Sequence, residues 1–325
     1  MSRPPTLVVV SDIHYAGAAE KARGHPRAGL TTNPALNAFM HVWDRVLWMR
    51  DPLAHNHLLD RFLDGAADAD WVVANGDFCC DSACVGVSDD AAFASAAECL
   101  GKLRARFGDR LLATIGDHEL GKTSFVGGKG GMRLASWPRT VKGLGLKPFW
   151  RVEAGARVLI GVTSSLIGLE VLRPDALPEE LGEWERLRAA HLREVDAAFA
   201  ALDPQQRVLL FCHDPSALPF LLDVPNVRAR VGQIERTVVG HLHSRLIFWK
   251  SRLLAGMPRI GFLGSTFRRW TTALNRARLW QPFHPVLCPA LAGIELTKRG
   301  GWLESELVPG ADRPVEFRLH PLKRD

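Results

Sequence analysis

The sequence predicts an α/β protein built on largely parallel strands, on three observations. Short runs rich in Val, Ile and Leu recur without polar alternation, as strands buried on both faces require. Helical patterns rich in Ala, Leu, Arg and Glu lie between them. The runs end in Gly, Asp or His, and in open α/β sheets functional side chains gather beyond the carboxyl ends of the strands.

The expected strands are Thr6–Val10, Trp71–Ala74, Leu111–Ile115, Val158–Thr163, Val208–Phe211, Thr237–Val239 and Ile260–Leu263. The clearest helical patterns are Ala91–Phe107 and Glu183–Leu202, with further ones at Ala35–Met49 and His57–Ala69. Three stretches read as loops or insertions: Ala16–Pro34, which is basic, Gly121–Gly131, which is glycine-rich, and Thr266–Pro285, which is basic and aromatic. With no internal repeat or linker, residues 1–325 read as one domain, 266–325 being its decorated C-terminal part.

Composition sets outer bounds. A chain of 325 residues that is 47% hydrophobic and 23% charged has ample material for a core and is not a disordered composition. Its net charge of +6 suits an anionic substrate, nucleic acid or a membrane surface without selecting among them. The six cysteines form no zinc knuckle or disulfide framework, so reduced thiols in the cytoplasm are expected. The first apolar run ends in Asp12, which makes it a strand and not a signal peptide. No stretch approaches the roughly 18 apolar residues of a transmembrane helix.

The chemistry lies at the strand ends. Asp12-Ile-His14 closes the first strand, and Gly76-Asp77-Phe-Cys-Cys-Asp81 the second. Gly116-Asp117-His118-Glu119 closes the third, His213 follows Phe211-Cys212, and Gly240-His241-Leu-His243 comes last. Hard and borderline divalent metals take carboxylates and imidazoles. Two such residues spaced two apart, where strand gives way to loop, can reach one ion. Any one of these pieces alone would more simply be a turn or a surface loop. Five of them in order, each closing an apolar strand, have no plain structural reason.

As a set the blocks resemble the calcineurin-like metallophosphoesterase superfamily, whose pattern is Asp-x-His, Gly-Asp-x-x-Asp, Gly-Asn-His-Asp/Glu, a later His, and Gly-His-x-His. They span residues 12 to 243, about three quarters of the chain. The resemblance implies a four-layer sandwich, with two central mixed β-sheets flanked by helices. It also implies two divalent metal ions, Mn²⁺ ahead of Fe, Zn or Mg. Asp12, His14 and His243 would hold the first ion, and Asp117, His213 and His241 the second, with Asp77 bridging. His118 would be the general acid that protonates or orients the leaving group. Asp81 and Glu119 would orient ligands or His118. The implied reaction is hydrolysis of a mono-, di- or pyrophosphate ester by a metal-bridging hydroxide. In one place the chain departs from the pattern: Asp117 stands where the family keeps Asn, adding a negative charge that bears on turnover and metal choice.

Other readings compete. Gly116–Thr123 reads GDHELGKT and matches a P-loop, but Asp117 and Glu119 would put two negative charges into its phosphate cradle. Lys122 could still approach a substrate phosphate, but a solvated loop lysine is the preferred reading. The expected partner is a phosphorylated small molecule or nucleotide. A nuclease on the same site has the basic charge and the Trp/Arg segment 267–280 in its favour but no nucleic-acid motif, and a non-catalytic scaffold would have lost His118 or a ligand. Residues 267–280 place Arg268, Arg269, Arg276 and Arg278 among apolar residues at helical spacing. Peripheral membrane contact there competes with a helix that packs Phe267, Trp270 and Leu274 on the body, the preferred reading. Lys21, Arg23, His25 and Arg27 could meet an anionic substrate or be solvated. His41, His55, His57, His191, His284 and His320 have no ligand-like neighbours in sequence.

Overall fold

A computed structural model describes residues 3–24, 33–124, 128–261, 265–308 and 314–324, the side chains of 265–267 excepted. Ten strands form two five-stranded sheets. Their ranges are β1 (Thr6–Val10), β2 (Trp71–Asn75), β3 (Leu111–Thr114), β4 (Phe149–Ala154), β5 (Arg157–Val162), β6 (Arg207–Cys212), β7 (Ile234–Val239), β8 (Pro285–Leu287), β9 (Arg299–Glu306) and β10 (Arg318–Lys323). The first sheet runs β10-β9-β1-β2-β3 and the second β4-β5-β6-β7-β8. Both are mixed. β1, β2 and β3 are parallel, as are β5 through β8, while β9, β10 and β4 run antiparallel to their neighbours.

Side-chain alternation builds the layers. Leu7, Val9 and Val73 of the first sheet pack on Leu159, Leu209, Phe211 and Val238 of the second, forming the core between the sheets. Their neighbours Val8, Val10, Val72 and Ala74 face outward onto Leu58, Leu59 and Phe62 of helix His57–Gly65 and Leu100 and Leu103 of helix Asp90–Phe107. On the far side Val158, Ile160, Val208 and Leu210 meet Val195 and Phe199 of helix Leu181–Ala200. Strands buried on both faces need apolar residues at every position, which is why no polar alternation marks them. The expected four-layer sandwich is the architecture observed.

Six of the seven expected strands form, the exception being Ile260–Leu263. Ile260 and Gly261 lie outside any strand, and Phe262 and Leu263 fall outside the described residues. The Ile260 N–H instead donates to Thr271 Oγ1 at 3.0 Å, so a side chain of helix Ser265–Asn275 takes the place of a neighbouring strand. Part of Ala16–Pro34 is helical, at Ala18–Arg23. The region read as a C-terminal decoration supplies β8, β9 and β10, and β9 pairs directly with β1. No described helix is long and apolar enough to cross a membrane.

Candidate metal centre

The parallel strands of the two sheets end on one side of the molecule, and their loops meet there. The Gly240 N–H donates to His213 O at 2.8 Å, and Leu291 N–H to Asp12 O at 3.3 Å, tying the ends together. Gly76 adopts φ +85°, and a Cβ on it would lie 2.7 Å from Gly116 Cα and 2.9 Å from His213 Nδ1. A Cβ on Gly240 would lie 2.0 Å from Ser11 Oγ. These glycines let neighbouring strand ends approach closely enough for their side chains to share a site. Asp12, His14, Asp77, His241 and His243 themselves have φ between 49° and 61°, the left-handed region that side-chain-bearing residues seldom occupy.

Every expected ligand converges there. Asp12, His14 and His243 form one group of donors, Asp117, His213 and His241 another, and Asp77 joins His14 with His118 on one side and Asp12 with His213 on the other. His213 Nε2 lies 3.1 Å from both Asp77 Oδ2 and Asp117 Oδ1. His241 Nδ1 lies 2.9 Å from Asp117 Oδ1, and His243 Nε2 3.3 Å from Asp12 Oδ1. His14 Nε2 and His243 Nε2 are 3.2 Å apart.

The outer contacts fix how these donors point. The buried His213 Nδ1 sits 2.6 Å from Asn75 O and donates to it, so Nε2 is the atom turned toward the two carboxylates, to carry a proton there in the metal-free protein or to offer a lone pair to an ion. His14 Nδ1 lies 3.3 Å from Cys79 O and His118 Nδ1 3.0 Å from Cys80 O, which leaves their Nε2 atoms to the site in the same way. Ser11 Oγ donates to Asp12 Oδ2 at 2.6 Å. Asp77 Oδ2 is buried without a hydrogen-bond donor. Lone pairs and carboxylate oxygens that face one another at about 3 Å call for positive charge between them, and the donor chemistry suits divalent cations.

Electrostatics agree. Burial alone would lower His213, but Asp77 and Asp12 reverse this and raise it well above the ordinary histidine range. Burial and Asp117 push Asp77 upward, yet His213 and His118 hold it well below the carboxylate range. Asp12 is raised by burial, against the pull of His213. Burial takes His118 down to about 4, so it is a neutral imidazole at pH 7. Burial and His14 drive His243 well down as well.

The two carboxylates expected to orient ligands or His118 differ in what they touch. Glu119 accepts hydrogen bonds from the Gly116, Asp77 and Phe78 N–H groups at 2.8, 3.0 and 2.7 Å, clamping the second strand-end loop to the third. It positions Asp77 through the backbone. Asp81 Oδ1 accepts from Val85 and Gly86 N–H at 2.9 and 2.8 Å, ordering its own turn.

Lys122 departs from its preferred sequence reading. It is no solvated loop lysine: Nζ lies 2.8 Å from Asp117 Oδ2 and the side chain is 26% exposed. Burial disfavours its charge, but Asp117 and Asp77 outweigh that and raise it. The charge that Asp117 adds is therefore matched within the protein. Two N–H groups of the P-loop match are taken within the protein as well, that of His118 by Asp77 Oδ1 and that of Gly116 by Glu119. Arg23 turns away to Asp89 and Ser82, Lys21 is exposed, and His25 and Arg27 lie outside the described residues. Residues not anticipated include Ser11, Asn75, and Trp48, whose ring lies 4.7 Å from that of His243. Among the described residues the cysteines form no disulfide.

No family model and no curated protein matches the chain. Solved structures similar to it include a dimetal phosphatase from Danio rerio, 13% identical over 98% of this chain and 97% of that one, with a TM-score of 0.49. Another is phosphopantetheinyl hydrolase from Mycobacterium tuberculosis, 16% identical over 75% of this chain and 84% of that one, TM-score 0.35. A third is a purple acid phosphatase from yellow lupin, 13% identical over 75% of this chain and 38% of that one, TM-score 0.34.

Proposed function

We propose that the chain is a two-metal phosphoester hydrolase. The observation that carries this reading is the pair of donor groups, Asp12/His14/His243 and Asp117/His213/His241, flanking the undonated carboxylate oxygen of Asp77. Asp12, His14 and His243 would hold one ion and Asp117, His213 and His241 the other, with Asp77 reaching both. When bound, two divalent cations supply Lewis acidity for phosphoryl oxygens and lower the pKa of water.

The remaining steps belong to the chain's own groups. Asn75 O, Cys79 O and Cys80 O hold the tautomers of His213, His14 and His118. His118 Nε2, 3.8 Å from Asp77 Oδ2, faces the place where a leaving group would depart. Burial keeps His118 neutral until an anionic phosphoester lies beside it. The negative charge of the substrate then favours the imidazolium, which donates its Nε2 proton to the departing alkoxide. Lys122 offsets Asp117, so the second half of the site keeps the charge balance that an amide ligand would give and repels an incoming phosphate less.

The proposed substrate is a phosphorylated small molecule or nucleotide, the proposed metal Mn²⁺ ahead of Fe, Zn or Mg, and the proposed compartment the reducing cytoplasm, which suits cysteines that form no disulfide among the described residues. A panel of phosphomonoesters, phosphodiesters and pyrophosphates, each assayed with Mn²⁺, Mg²⁺, Zn²⁺ and Fe²⁺, tests this. Protein that binds no divalent ion and cleaves no bis-aryl phosphate with any of them would overturn it.

A further inference from the structure

Charge is distributed unevenly along this chain. Residues 236–294 hold nine Lys and Arg and no Asp or Glu. The rest, with 32 basic against 35 acidic residues, is net negative, so this one segment accounts for the whole positive charge of the protein.

The fold gathers much of that segment onto one surface. Ser244, the residue after His243, caps helix Arg245–Leu253. Phe248 of this helix stacks on Trp280, and the turn that follows is pinned by Arg278 Nε to Ala255 O at 3.1 Å and by Asn275 Nδ2 to Met257 O at 2.9 Å. Arg245, Trp249 and Leu253 are spaced four apart, hence on one helix face, with Lys250 and Leu254 beside them. Trp249 is 60% and Leu253 69% exposed, and Leu254 and Leu279 are also open to solvent. Arg236, Arg252, Arg278 and His284 line a cavity of about 550 Å³ with no acidic residue in its wall, and Arg252 and Arg278 belong to the exposed surface as well. Among the described residues Arg245, Lys250 and Arg259 have no carboxylate partner. Arg269 and Arg276 do, pairing with Asp175 and Asp223.

We propose that this surface docks the protein on an anionic lipid bilayer, Trp249, Leu253, Leu254 and Leu279 entering the interface while Arg245, Lys250, Arg252 and Arg278 meet phosphate headgroups. Aromatic and aliphatic side chains set among unpaired cations are the composition of an interfacial helix. Single-stranded nucleic acid would use the tryptophans for stacking, but it gives exposed leucines nothing to do. The surface also differs from the 267–280 segment singled out in sequence. Of that segment Leu274 is buried, Trp270 is 44% exposed, and Phe267's side chain falls outside the described residues, while the most exposed apolar groups sit upstream on Arg245–Leu253.

Vesicle co-sedimentation of the full chain tests this. Binding to phosphatidylcholine–phosphatidylserine vesicles is expected, with little to pure phosphatidylcholine, and it should weaken as salt rises. The double variant Arg245→Gln/Lys250→Gln should lower partitioning about 20-fold, and Trp249→Ser/Leu253→Ser about tenfold, with circular dichroism unchanged. Should the apolar variant misfold, the charge variant still decides. Equal binding to both vesicle types, or unaltered binding by a folded charge variant, would overturn the proposal. So would tighter binding to a single-stranded oligonucleotide that the charge variant abolishes, which would make the surface a nucleic-acid site.

Discussion

The strand-end cluster and the basic face adjoin at Ser244 and are built on opposite terms. In the cluster nearly every polar atom is fixed by another residue. Asp12 alone takes the Ser11 hydroxyl and the His241 N–H, and faces His14, His213 and His243. On the face, Arg245, Lys250 and Arg259 project into solvent. The first region works through placement and the second through the sum of its charge, so substitutions should be felt at very different scales.

The largest effect is expected at Asp77, between both donor groups. Asp77→Asn should reduce bound metal from two ions to one or none by elemental analysis and take hydrolysis to background. His118→Asn should lower kcat by about 10²–10⁴-fold yet retain both ions, and loss of metal would instead make His118 a ligand. Lys122 and Asp117 form the next test. Lys122→Met leaves the Asp117 charge unmatched and should raise KM for an anionic substrate about tenfold, whereas Asp117→Asn/Lys122→Met should come back toward the parent by a coupling of about 1 kcal/mol or more. Additive effects would show that the pair does not act as a unit.

Metal-free protein offers a subtler contrast. The raised His213 is the proton that screens Asp77 and Asp12. A group raised on folding stabilises fully below its unfolded value, near 6.5, and that stability is lost as pH climbs through the folded value. The thermal midpoint of the metal-free protein should therefore fall on that alkaline climb, while metal affinity rises, because an ion displaces the same proton. The smallest effect belongs to the face: Trp249→Ser should change stability by no more than about 0.5 kcal/mol and leave hydrolysis of a soluble substrate unchanged.

The residues of the cluster were legible because their signal is local. Asp-x-His and Gly-His-x-His need only a strand end and a glycine, and the apolar runs supply the strand. What escaped depends on distant partners. Lys122 becomes part of the site only because Gly121, at φ +97°, turns the chain back toward Asp117. Asp81 and Glu119 look equivalent in sequence, but Glu119 reaches three N–H groups of two loops while Asp81 Oδ1 orders its own turn. β9 and β10, reading RGGWLESE and RLHPLK, carry the glycines, proline and charges of a loop, and β1 provides the pairing that makes β9 a strand. Ile260 shows the converse, an apolar run whose N–H goes to Thr271.

The left-handed backbone at Asp12, His14, Asp77, His241 and His243 also bears on stability. Each of these positions would be more comfortable as glycine, by about 1 kcal/mol or more. Only glycine relieves that cost, since another side chain would share the strained backbone, so the five positions hold their side chains in place at the expense of local stability.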